Sequence, residues 1–175
     1  MINKSKKILS EISPGDLLDK ISILEIKLEK ITDENNLKEV KKEYEMLKKI
    51  QSEISAGELL DKISILEIKL KKIKDKSSQI EINKEYKVLK KTKNLNIKFT
   101  NEIEKLYKEI KKVNLNLWEI EDKIRTCEKN KDFGKNFIEL ARGVYFNNDK
   151  RAKIKSKINS VLGSNIKEIK QYADY

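Results

Sequence analysis

The sequence contains no histidine and one cysteine, Cys127. A His-based triad, a histidine general base and a Cys/His zinc site are therefore excluded. A single thiol also cannot build an internal disulfide. Proline occurs once and glycine five times in 175 residues, so little interrupts helix formation. Aromatic residues make up 6% of the chain, which suits helices that each bury one stripe better than a bulky aromatic core. No stretch approaches the roughly 18 consecutive apolar residues of a membrane helix. The opening MINKSKKILSEIS lacks the apolar centre of a signal peptide. The expectation is a soluble, cytoplasmic protein without membrane insertion. There is no Gly-rich phosphate loop.

Charge is abundant but dispersed. The 40 Lys plus Arg and 29 Asp plus Glu give a net charge of +11. Residues 1–53 carry 11 bases and 11 acids, and no later segment forms a basic tail. Only Arg125, Arg142 and Arg151 are arginines. The excess of Lys, Asn and Ile fits an AT-biased genome, and most lysines alternate with glutamates at helical spacing. A solvated surface laced with ion pairs accounts for this pattern, and nucleic acid is disfavoured as a partner.

The chain repeats itself. Residues 12–31 read ISPGDLLDKISILEIKLEKI and residues 54–73 read ISAGELLDKISILEIKLKKI, so 17 of 20 positions match at an offset of 42. Weaker similarity relates KKEYEMLKK at 41–49 to NKEYKVLKK at 83–91. The unit is a helix, a turn and a second helix. Ser13 and Ser55 are N-cap candidates, each followed three residues on by a carboxylate, Asp16 or Glu58. Pro14 fits the first helical position. Ile12 with Leu17, and Ile54 with Leu59, have the spacing of hydrophobic staples. For the second helices, Asn36 with Glu39 and Ser78 with Glu81 suggest the caps. The repeated helix has the seam Leu59, Ile63, Leu66, Leu70 and Ile73, with Ile65 and Ile68 on its far side. Such a helix is expected to be wedged between neighbours. Glu67 and Asp61 point into apolar surroundings and need a partner, water or a proton.

A third helix is expected from about residue 101 to 129. Phe99, Ile103, Leu106, Ile110, Val113, Leu117, Ile120, Ile124 and Cys127 alternate steps of four and three, with Thr100 as its cap. Cys127 on this seam reads as a structural thiol. A last helix should run from Lys135 to Leu162 and stop at Gly163. Its seam is apolar at both ends, yet Asn148, Arg151 and Lys155 share the direction of Val144. The tail is expected to be irregular, with Tyr172 and Tyr175 docking back. The fold class is thus all-α, an antiparallel bundle of long heptad-patterned helices with a duplicated N-terminal α-hairpin. Residues 1–53 would be the extra hairpin. Residues 54–175 would form the main domain: hairpin 54–95, long helix 96–130, and C-terminal helix and tail 131–175.

The stretches SAGELLDKISILEIKLKKI, LWEIEDKIRTCEKNKDFGKNFIELARGVYFNNDKRAKIKSKIN and GSNIKEIKQYADY resemble a family of small bacterial proteins known only as a domain of unknown function. The resemblance covers roughly residues 54–175. It implies one hairpin ahead of the Trp118-containing helix, so residues 1–53 depart from it as an added copy. It brings no activity, cofactor or catalytic residue, and it implies a link to surface-glycan functions by association only.

Two function classes follow. The first is a non-enzymatic helical interaction or assembly module, with a protein partner or a second copy on the apolar faces around Ile23, Ile26, Ile65 and Ile68. The alternative is a protein or enzyme that binds a small anion, a phosphate or sugar phosphate. Arg142, Arg151 and Lys155 would hold it, and Tyr145 and Asn148 would orient it. Against that pocket stands a buried ion-pair network of Arg151 with Glu67 or Asp61, and of Arg125 with Glu121 beside Asp122. No cofactor or metal is expected, because helical-bundle metal sites of the Glu-x-x-His kind need histidine. The sequence leans away from an enzyme.

Overall fold

The computed structural model describes residues 14–47, 53–167 and 169. Six helices form among them: α1 (Pro14–Lys30), α2 (Glu34–Leu47), α3 (Ala56–Lys72), α4 (Lys76–Asn96), α5 (Asn101–Asn130) and α6 (Lys135–Leu162). The protein is all-α. Helix α3 contacts α4, α5 and α6, α5 packs along α6, and α1 packs on α2.

The two copies of the repeat fold alike where each relies on its own residues. Helices α1 and α3 both span 17 residues, offset by the repeat length. Helix α1 starts at Pro14, whose fixed φ and missing N–H suit a first turn. Helix α3 starts behind Ser55, whose side chain accepts the Glu58 N–H at 3.1 Å. Ile12, Ser13, Tyr172 and Tyr175 lie outside the described residues.

The second helices start earlier than expected. Asp33 Oδ1 accepts the Asn36 N–H at 2.8 Å, and Asp75 Oδ2 accepts the Ser78 N–H at 2.7 Å. The aspartates are the caps, because a carboxylate meets free N–H groups and the positive helix end at once. Asn36 and Ser78 are the capped residues rather than the caps. The bonds from Ser77 and Ser78 hold the Asp75 carboxyl down to about 2.

The main core joins Leu59, Leu60, Ile63 and Leu66 of α3 to Ile103, Ile110, Val113 and Leu117 of α5 and to Ile154 and Ile158 of α6. A separate small core holds the first pair together. It contains Leu24, Ile31, Val40 and Leu47, with Leu17, Ile21, Leu28 and Ile169 against it. The expected α5 seam is buried from Ile103 to Leu117, and the free thiol of Cys127 is buried near its end. Thr100 caps α5, and Lys131 closes it in the left-handed conformation. Helix α6 stops at Gly163, which at φ 61° tolerates that conformation without a Cβ penalty. Asn116 donates to Asn147 at 3.0 Å across α5 and α6. Gly143 lies against Ile120, and the two contacts set an antiparallel register.

One expectation about surfaces needs correction. Ile65 and Ile68 were candidates for an exposed apolar face, but Ile65 is half-buried and Ile68 is buried. Helix α3 sits among α4, α5 and α6, so little of its far side is left to water. The corresponding Ile23 and Ile26 of α1 are exposed.

Candidate functional site

The polar residues gather where α6 crosses the start of α3. Gly57 permits this crossing, since a Cβ there would stand 2.6 Å from the Lys155 carbonyl oxygen and 2.9 Å from Asn159 Oδ1. The backbone N–H of Gly57 donates to Asn159 Oδ1 at 2.6 Å. One and two turns earlier on the same ridge of α6 lie Lys155 and Arg151. Lys155 is buried and donates to Glu58 Oε2 at 2.9 Å. Arg151 Nε stands 3.7 Å from Asp61 Oδ2. Asn114 of α5 completes the layer, donating to Asp61 Oδ1 and to Ser64 Oγ, each at 2.7 Å.

The two acids titrate in opposite directions. Burial pushes the Glu58 carboxyl up, but Lys155, Lys20 and Lys62 together outweigh it and bring it down to about 2. Burial also raises Asp61, and there Arg151 and Asn114 do not compensate fully, so its carboxyl stays above the usual range. An Arg at 3.7 Å without a direct hydrogen bond is a weak counterweight to a nearly complete loss of water. Three polar atoms of this layer, Asn114 Oδ1, Arg151 Nε and Asn159 Nδ2, are buried without a hydrogen-bond partner among the described residues.

The remaining candidates lie elsewhere. Glu67 has its own partners in Lys111 and the Tyr86 hydroxyl. Burial works to raise its carboxyl, but these bonds and the Lys111 charge lower it on balance. Arg125 is exposed and pairs with Glu121 and Asp122 along its own helix. Arg142 is level with those acids, but its guanidinium lies over the Phe146 ring. Tyr145 stacks at a tilt on the same ring. Asn148 is half-buried. The structure thus brings Arg151, Lys155 and Asp61 together, and separates them from Glu67 and from the Arg142–Tyr145 group. Sequence reasoning missed Glu58, Ser64, Asn114 and Asn159 as members. Asn114 carried a readable signal, since it is four residues after Ile110 and three before Leu117 and so faces the core.

A cavity of about 870 Å³ opens between α1 and this layer. Asp19, Lys20, Ile23 and Ile26 line one side, with Arg151 and Lys155 on the other. Across it, Lys62 Nζ donates to Asp16 Oδ2 at 3.2 Å, and Lys20 Nζ stands 3.8 Å from Glu58 Oε1. Asp16 and Glu58 are equivalent in the repeat, as are Lys20 and Lys62. Helices α1 and α3 therefore exchange the same ion pair in both directions and run antiparallel, as two subunits do about a two-fold axis.

Residues 49–174 match the model of a family of unknown function, DUF6165. The match takes in α3 to α6 and leaves α1 and α2 outside it. No curated protein and no solved structure matches the chain.

Proposed function

The chain belongs to the DUF6165 family, and from that premise we propose that it is a non-enzymatic helical interaction module in which residues 1–53 are an added hairpin. One contrast carries this reading. Leu60 and Ile68 of α3 are 0% and 4% exposed, whereas the same residues of α1, Leu18 and Ile26, are 67% and 58% exposed. An apolar face that is covered in one copy and open in the other is a surface for association. The cations of the polar layer support the same reading, because Arg151 and Lys155 already pair with Asp61 and Glu58. The association with surface-glycan biosynthesis, a bacterial source and a cytoplasmic location rest on the family resemblance and on composition.

The experiment is site-specific photo-crosslinking in the native cell, with the probe at position 18 or 26 and a control at Lys38 on the exposed side of α2. Crosslinks to protein from 18 and 26, with none from 38, are expected. Absence of crosslinks from 18 and 26 overturns the reading.

A small-anion site remains the second reading, favoured by the buried Arg151 Nε, which has no hydrogen-bond partner among the described residues and lies beside a large cavity. Thermal-shift titration with inorganic phosphate and sugar phosphates tests it. A stabilisation that Arg151→Lys abolishes would move the function to this alternative.

A further inference from the structure

At about 100° per residue, Gly15, Leu18, Asp19, Ser22 and Ile26 share one face of α1. This face is turned away from the seam of Leu17, Ile21, Leu24 and Leu28 that belongs to the small core. All five residues are exposed. Their equivalents in α3 are Gly57, Leu60, Asp61, Ser64 and Ile68, identical at every position, and all five are buried. The structure shows what meets four of that set. Asn159 receives the Gly57 N–H, Arg151 and Asn114 reach Asp61, Asn114 also donates to Ser64, and Ile154 and Ile158 share a core with Leu60.

We propose that this face of α1, which borders the cavity at Asp19 and Ile26, is a docking surface for a helix of another protein that repeats the α6 ladder: an arginine, a lysine and an asparagine at successive four-residue steps, with isoleucines between. Identical side chains on a helix of the same length offer the same shape and the same carboxylate to whatever docks. Asp19 calls for the guanidinium that Asp61 meets. Gly15 leaves room for the backbone approach that Gly57 permits. Leu18 and Ile26 supply the apolar area. A second copy of this chain is a poor occupant, because its own α6 is already held by its own α3. The partner is therefore a separate protein with a free helix of this pattern. This proposal deepens the interaction-module reading and rests on it.

The test titrates a synthetic peptide of residues 147–163 into the full chain, with a scrambled peptide of the same composition as control. Saturable one-to-one binding of the native peptide alone is expected. Leu18→Glu and, separately, Ile26→Glu should each weaken it about tenfold or more. Both sites are exposed, so the variants keep the fold, and circular dichroism verifies this. Failure to bind overturns the proposal. So does binding that neither variant weakens, since the peptide would then be displacing α6 from α3. Dimerisation of the chain that Leu18→Glu abolishes would give the face to a second copy and also overturn it. Crosslinks from position 18 without peptide binding would leave the interaction module standing and remove only this occupant.

Discussion

The first and second hairpins are close to a controlled experiment, because nearly the same helix occurs twice in one chain with different neighbours. Where a contact is internal to the hairpin, the copies agree. Tyr44 donates to Glu25 at 2.9 Å, and Tyr86 donates to Glu67 at 3.2 Å. Leu47 and Leu89, one repeat apart, are both buried. Where a contact needs α5 or α6, the copies part. Each serine donates to the carbonyl three residues earlier in its own helix, but Ser64 is enclosed and also bonded by Asn114, while Ser22 is exposed. Local sequence sets the helix and its hairpin partner, and the third and fourth neighbours decide what a residue is worth.

The sharpest way to break this comparison is a pair of matched truncations. Leu60→Ala should cost about 2–5 kcal/mol, since it empties a fully enclosed position, whereas Leu18→Ala should stay within about 0.5 kcal/mol. Denaturant unfolding of both variants checks it, and equal losses would mean the copies are equally enclosed.

Glu58 comes next. Its carboxyl lies far below its ordinary range, so its stabilisation is present above about pH 4.5 and is lost as pH falls towards 2. Glu58→Gln should remove about 3 kcal/mol near neutral pH and flatten that acid limb. Asp61 works in the opposite sense. Its folded carboxyl is raised, so its contribution is present below the usual carboxylate range and fades as pH rises. Unfolding of Glu58→Gln followed against pH measures the first directly. A steep limb that persists in the variant would reassign it.

Glycine provides a smaller contrast. Gly57→Ala should destabilise by about 1–3 kcal/mol, because the new methyl meets the α6 backbone. Gly15→Ala, at an exposed helical position, should be neutral or stabilise by up to about 1 kcal/mol. Melting temperatures moving in the same direction would contradict the open face on α1.

The smallest effect concerns the ion exchange between the copies. Asp16→Lys should loosen α1, and adding Lys62→Asp should restore it, with each change under about 1 kcal/mol. Hydrogen exchange of the α1 amides, compared at low and high salt, gives the readout. Exchange in α1 that ignores salt would show that something other than these ions holds the hairpin.

Much of this architecture was legible in advance, and the reasons are specific. The four-three alternation from Ile103 to Cys127 and the glycine at 163 fix α5 and the end of α6, because helix period and left-handed caps are local properties. The caps of α2 and α4 were misplaced because Asp33 and Asn36, like Asp75 and Ser78, are all capping residues, and spacing alone does not rank them. The site was half legible. A polar run on α6 announced Arg151 and Lys155. Their partners depend on how far α6 slides along α3, which no single-helix pattern encodes. That slide is set by Gly57, a residue with no side chain to advertise it.

The reversed ion pairs between α1 and α3 have a thermodynamic consequence. Two bodies related this way usually meet by diffusion, and dilution separates them. Here they are tethered through the connection from Leu47 to Ala56, so each sees the other at a fixed local concentration, on the order of millimolar for short tethers. Contacts too weak to join separate molecules are then enough to hold the halves together. Their association is then independent of how much protein is present and answers to ionic strength instead.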